Sequence, residues 1–278
     1  MNQDENMKRR YILIMICILL VISEVLISLQ QKQMMKNSVF SWHDDFKDAE
    51  HPMVMTDLCE KYHIDTVYQY ATPKDLSSEA FSEYAQILSE AGIQTVLIYD
   101  EPEYSVDGFK GYLKAVRESA AAQNVTGIIA DIEPFSGGQK TSVSALKEYT
   151  GYMQKYSDTA HAYGLKYMIA IPTWYDELSQ ELTAQLIQSA DRIVLMNYTT
   201  KDFLRPIRYE VKTAREMGVE VEDAAELQPV CSQRGITPDM TYAGQKISVV
   251  IRDLNRIDRT YGNMRGCFHH FRDLYRMT

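Results

Sequence analysis

Two hydrophobic rhythms alternate along this chain. Short apolar runs rich in β-branched and aromatic residues fall at 39–42, 66–70, 94–99, 127–135, 166–171, 192–197 and 265–269, with a less regular one from 219 to 226. Runs of this length and composition predict buried strands. Between them lie amphipathic stretches at 53–62, 77–91, 107–123, 142–163, 177–190, 205–217 and 241–260, which predict helices. Gly92, Gly164 and Gly218 follow three of these stretches, where a left-handed residue commonly ends a helix.

Eight strands alternating with helices over about 240 residues predict an α/β fold, the (β/α)8 TIM barrel. The alternative is an open doubly wound sheet. No glycine-rich dinucleotide fingerprint or P-loop follows any strand, so the sequence offers no nucleotide site. A barrel carries its chemistry at the C-terminal ends of its strands. There the chain places Trp42, Tyr70, Tyr99, Asp131, Glu133, Trp174, Asn197, Tyr198, Glu226 and His269.

The first 37 residues follow a different pattern. Lys8, Arg9 and Arg10 precede an apolar span, 11–29, which Ser23 and Glu24 interrupt before it resumes at 25–29. Nineteen residues suffice to cross a bilayer as a helix, and the positive flank predicts a cytoplasmic N-terminus. The expected organisation is a cytoplasmic segment at 1–10, a transmembrane signal anchor at 11–29, a linker at 30–37 and an extracytoplasmic barrel at 38–278. The runner-up is a cleaved signal peptide and a secreted barrel.

Composition narrows the partners. The net charge is −9 and the soluble part has no basic block, which argues against nucleic acid. The four cysteines, Cys17, Cys59, Cys231 and Cys267, show neither metal spacing nor a disulfide framework. His43-Asp44-Asp45 after strand one would suit a metal-dependent deacetylase, but no further histidines stand at ligand spacing. No metal and no organic cofactor is expected. Nineteen tyrosines supply flat faces with polar tips, suited to sugar rings and equally to ordinary packing. Trp174, after Pro172-Thr173, is the better platform for a pyranose ring.

The chemistry centres on Gly127–Phe135, read as Gly-Ile-Ile-Ala-Asp-Ile-Glu-Pro-Phe. On a strand Asp131 and Glu133 would share a face, about 6.6 Å apart along it. Close carboxyls resist joint ionisation, so one holds a proton beside an ionised partner, the pair that glycoside hydrolysis uses. With Asp131-x-Glu133 on strand four and Met196-x-Tyr198 on strand six, the chain resembles the family-18 chitinase-like barrels. Their strand-four motif is Asp-Gly-x-Asp-x-Asp-x-Glu and their strand-six motif Met-x-Tyr. The resemblance implies that Glu133 protonates the glycosidic oxygen, that Asp131 orients the substrate's acetamido group, and that Tyr198 binds its carbonyl. That carbonyl then serves as nucleophile. Gly127 fits the motif, whereas Thr126 and Ile129 replace its outer acids. The family's strand-eight tryptophan is also missing, and Phe268 and His269 stand there instead.

A second scheme on the same fold pairs Glu133 with Glu226 as a nucleophile on strand seven. Ile132 stands where such enzymes carry an asparagine. The sequence thus predicts a glycoside hydrolase-like protein acting on a cell-wall or exopolysaccharide glycan, with Glu133, Asp131, Tyr198 and Glu226 as catalytic candidates. Trp42, Tyr70, Tyr99, Trp174, Asn197 and His269 are the substrate-binding candidates. The alternative is a catalytically silent glycan-binding or scaffold barrel in the cell envelope.

Overall fold

The computed structural model describes residues 15, 16, 18, 35–48, 50–135 and 141–278. The predicted anchor at 11–29 lies outside them except for Met15, Ile16 and Ile18. Among the described residues no helix is long and apolar enough to cross a membrane. The chain divides at Met35, and Lys36–Thr278 forms the barrel.

Eight parallel strands close in sequence order. They are β1 (Asn37–Ser41), β2 (Ile64–Tyr70), β3 (Gln94–Tyr99), β4 (Val125–Ala130), β5 (Lys166–Pro172), β6 (Arg192–Met196), β7 (Glu220–Glu226) and β8 (Arg265–His269). Closure is made by β1 against β8, with Asn37 opposite Gly266 and Val39 opposite Phe268. The helices between strands are α1 (His51–Lys61), the single turn α2 (Pro73–Leu76), α3 (Glu79–Glu90), α4 (Val106–Glu118), α5 (Val143–Ala162), the single turn α6 (Tyr175–Leu178), α7 (Gln180–Gln188), α8 (Arg208–Met217) and α9 (Ile247–Tyr261). A last helix, α10 (Phe271–Arg276), follows β8.

Local chemistry explains several boundaries. Ser78, Ser105, Ser142 and Ser179 each accept a backbone N–H of the first turn they precede, which satisfies a donor the helix itself cannot. Ser179 also breaks the stretch expected as one helix at 177–190 into α6 and α7. Gly127 has a different reason to lack a side chain. A Cβ there would lie 2.9 Å from the Lys166 carbonyl oxygen, so β4 approaches β5 more closely than alanine permits.

Strand alternation sorts side chains into two cores. Phe40, Tyr68, Val96, Ile98, Ile129, Met168, Ala170, Val194, Ala224 and Cys267 fill the barrel axis. Their neighbours on each strand face the helices. Tyr84, Tyr149, Tyr156, Tyr167 and Tyr175 are fully buried there, so much of the tyrosine richness is packing rather than binding surface.

The N-terminal end of the barrel is plugged by charge. Glu222, wholly buried, accepts from Ser38 Oγ (2.5 Å), Tyr68 Oη (2.8 Å) and Arg265 Nε (2.7 Å), and pairs with Arg192 Nη1 at 3.0 Å. Arg265 also reaches Asp65. Burial alone would raise the Asp65 carboxyl, but Arg265, Thr66 and Lys36 outweigh it and hold the group below the usual carboxylate range.

Candidate active site

The opposite end of the barrel carries the candidate chemistry. Asp131 and Glu133 lie just past the end of β4, in the connecting loop rather than on the strand itself. The Asp131 N–H still donates to the Tyr99 carbonyl at 3.0 Å, so the ladder with β3 extends one step further. This step aims Asp131 along the inward series of Gly127 and Ile129. Glu133 stands further out and is exposed.

The environments of the two acids differ. Asp131 is half-buried, and its Oδ1 is shut off from solvent with no hydrogen-bond partner. Burial pushes its carboxyl up to about 7; Glu133 and Asp100 push the same way, and His269 pulls against them. At neutral pH Asp131 therefore exists in both protonation states.

Glu133 lines a cavity of about 550 Å³ at the barrel mouth. Its wall includes Phe135, Trp174, Met196, Tyr198 and Arg205. Trp174 packs against Phe135, with ring centroids 5.4 Å apart, and edge-on against Tyr175 at 4.9 Å. Both residues of the strand-six motif, Met196 and Tyr198, face this space. Burial holds the Tyr198 hydroxyl well above its ordinary range, with Glu226 and Asp131 adding to the effect, so it stays a neutral donor.

A second group of side chains meets on the axis beside Asp131. Trp42 Nε1 donates to His269 Nε2 at 3.2 Å, and His269 Nδ1 lies 2.9 Å from Glu226 Oε2. An indole nitrogen can only donate, so Nε2 accepts, and the ring proton sits on Nδ1 and points at Glu226. Tyr198 stacks on the imidazole at 5.6 Å, and Tyr70 stacks on Trp42 at 6.0 Å. Of the adjacent histidines, His269 faces the axis, whereas His270 turns away and lies 3.2 Å from Asp273.

Tyr99 and Glu226 need correction, and the place of Asn197 needs refining. Tyr99 does not face the mouth. It is buried among Phe109, Tyr112 and Tyr156 on the helix side of β3. Asn197 contributes to the cavity wall, but its amide nitrogen donates to the Phe203 carbonyl and to Asp223 Oδ1, between β6 and β7 on their outer side. Glu226 is buried off the cavity wall, and Gln228 N occupies the oxygen that His269 leaves, at 2.7 Å. A nucleophile needs an open oxygen facing the sugar, and Glu226 offers none here.

The sequence reading missed Asp100, Phe135 and Arg205. Alternation would have found the first: with Val96 and Ile98 facing inward, the next inward residue is Asp100 and not Tyr99. Burial, joined by Glu101, raises the Asp100 carboxyl. His43, Asp44 and Asp45 do not converge on a metal position. Asp45 pairs with Arg272, Asp44 with Lys47, and His43 packs edge-on against His270. Among the described residues no group of three His, Cys, Asp or Glu is placed to hold a metal ion.

No protein-family model matches the chain, and no curated protein matches it. Solved structures do. A GH18 chitinase from Pseudoalteromonas aurantia superposes with a TM-score of 0.56 at 10% identity, covering 85% of this chain and 94% of that one. A spore cortex-lytic enzyme from Bacillus megaterium gives 0.54 at 12% identity, over 84% of this chain and 70% of that one. A deoxyribose phosphate aldolase from Aeropyrum pernix gives 0.51 at 10% identity over 88% of each chain. At such identities the likeness is one of fold, and the aldolase shows that the fold is shared across chemistries. The expected resemblance to family-18 chitinase-like barrels holds at that level.

Proposed function

We propose that this protein is a glycoside hydrolase acting on a β-linked, N-acetylated cell-wall or exopolysaccharide glycan. The observation that carries the proposal is the meeting of Glu133, Tyr198 and Trp174 on the wall of one cavity, with the Asp131 carboxyl close to Glu133.

Glu133 gives its proton to the glycosidic oxygen as the bond to C1 breaks. The carbonyl oxygen of the substrate's own acetamido group forms the new bond to C1 from the opposite face. Tyr198 donates its hydroxyl proton in a hydrogen bond to that carbonyl and holds it in line. As a carboxylate, Asp131 accepts from the acetamido N–H and balances the positive charge that develops there. Trp174 and Phe135 offer the apolar faces on which a sugar ring stacks. Water then attacks C1, returns a proton to Glu133 and restores the acetamido group. The two-carboxylate scheme finds less support, because Glu226 is committed to His269 and Gln228.

The test uses the purified protein and defined N-acetylated oligosaccharides, with products scored for both cleavage and loss of acetyl groups. Glu133→Gln should lower turnover at least about 10²-fold, the usual contribution of a general acid, and leave binding within a few-fold. Cleavage at the parent rate by this variant sinks the assignment. A specific observation favours the silent glycan-binding reading: Ile129, an apolar residue, lies directly beneath Asp131 on the inward face of β4. Under that reading the parent binds oligosaccharide and releases no product.

We also propose that the positive flank at 8–10 and the apolar span at 11–29 anchor the barrel outside the cytoplasmic membrane. Recovery of the full-length protein in the aqueous fraction, uncleaved, rules that out.

A further inference from the structure

Among the described residues, the cavity that Glu133 borders has one cation on its wall, Arg205. It stands in the segment that joins β6 to α8, and α9 and the loop after β7 tie that segment down. Thr200 N donates to the Asp239 carbonyl at 2.9 Å, and Lys201 Nζ pairs with Asp239 Oδ1 at 2.8 Å. Phe203 is buried, with the Arg256 guanidinium 5.5 Å above its ring, and its carbonyl accepts from Asn197 at 2.8 Å. The Leu204 carbonyl accepts from Tyr261 Oη at 2.6 Å, and Ile207 is wholly buried. The backbone on both sides of Arg205 is thus fixed before a ligand arrives, as a recognition element requires.

The guanidinium is aimed as well. Its Nε donates to Asp202 Oδ2 at 2.8 Å, and the side chain is 81% exposed. Among the described residues no acceptor meets Nη1 or Nη2. A guanidinium holds five N–H donors in one plane, and Asp202 takes one of them. The edge formed by Nη1 and Nη2 is a fork that matches the two oxygens of a carboxylate. Charge narrows the ligand further. Asp202 and Glu133 border the same cavity, and the whole chain carries a net charge of −9. A neutral sugar has no use for a cation here. A doubly charged phosphate would meet two carboxylates with a single guanidinium to offset them. One carboxylate is the anion that one fork balances.

We propose that the cavity takes a glycan in which a sugar carries a carboxylate, and that Arg205 selects it by a two-point hydrogen bond from its Nη1–Nη2 edge. Asp202 is the positioning residue that holds the guanidinium plane. The inference rests on the reading of this cavity as a glycan site and names the substrate class within it. The carboxylate belongs either to a lactyl ether on C3 or to C6 of a uronic acid, and the two share the chemistry that Arg205 reads.

The test is a calorimetric titration of the full-length protein with thio-linked, N-acetylated oligosaccharides, whose linkage resists hydrolysis, so that binding alone is read. One arm carries the lactyl ether and the other the C6 carboxylate, and each acid is compared with its own methyl ester. In one arm the acid should bind about tenfold more tightly than its ester, and that arm names the position. Arg205→Ala should bring the acid-to-ester ratio close to one. Arg205→Lys, a point charge without the fork, should give a ratio between the two. Equal affinity for acid and ester in both arms overturns the proposal. So does a preference that survives Arg205→Ala, and so does the failure of both acids to bind. A salt series on the parent reads the same charge without any variant. Between about 0.05 and 0.5 M salt the ratio should narrow severalfold, and a ratio indifferent to salt overturns the proposal. The O-linked counterparts report on hydrolysis separately. No cleavage by the parent, with the acid preference intact, would defeat the hydrolase reading and leave this inference standing. Cleavage of acid and ester alike, with equal affinities, would do the reverse.

Discussion

Asp131 holds a half-buried carboxyl whose folded-state proton affinity exceeds that of a free aspartate, for which the ordinary value is 3.8. The sign of its effect on stability follows. Between about pH 4 and 7 the unfolded chain has released this proton while the folded protein keeps it. Stability from this group is therefore lost as pH rises through that window, and ionised Asp131 is a net burden above it. Asp131→Asn removes the burden. It should stabilise the barrel at pH 8 by on the order of 1–3 kcal/mol, allowing for solvent at the mouth, and leave it unchanged near pH 4. Denaturant melts at the two pH values check this. Equal destabilisation at both would mean that the charged form is the one the fold accommodates. A group that costs stability where it stands is what a functional site commonly contains.

At the scale of elements, strand alternation separates two residues that composition alone treats alike. Tyr198 and Asn197 adjoin at the end of β6 and both border the cavity, yet the Asn197 amide nitrogen is committed to joining β6 to β7 through Asp223. Asp223 is 3% exposed, and burial raises its carboxyl well above the usual range despite the hydrogen bond from Asn197. Asn197→Ala strips a buried acceptor of its partner. It should destabilise the fold by about 1–3 kcal/mol and leave oligosaccharide affinity within a few-fold at temperatures where the variant is folded. A variant that loses sugar binding and keeps its melting temperature would restore Asn197 to the binding surface. The Tyr99 correction has the same origin. The strand ends where expected, but the closing turn leaves Asp100, and not the aromatic residue, on the inward side.

Across the whole molecule, the barrel separates what stabilises it from what it does. The Arg192–Glu222–Arg265 network closes one end, and the acids, Tyr198 and the aromatic walls occupy the other. Removing one partner of a buried ionic cluster leaves uncompensated charge. Glu222→Ala should therefore cost about 3–5 kcal/mol in stability. Well-separated sites act nearly independently, so the pH profile of turnover should be that of the parent at temperatures where the variant is folded. A shifted profile would mean that the floor and the mouth are coupled through the axis. The floor network itself was not legible in the sequence. Its members lie near the starts of β6, β7 and β8 and are drawn together only when those strands pair.

What the chain determined by itself was the alternation of strands and helices, and with it the barrel and the end where its chemistry gathers. These follow from the period of apolar residues, a local property that survives any error in register. Trp42, Tyr70, Trp174, Tyr198, Asp131 and Glu133 were within reach for the same reason, since each follows a recognisable strand. Tertiary structure decided which way each strand-end side chain turns and which acid keeps its proton. It also decided that Glu226 is occupied by a histidine 43 residues away in sequence. Those outcomes depend on desolvation and on partners brought from distant strands, and neither exists until the sheet has closed.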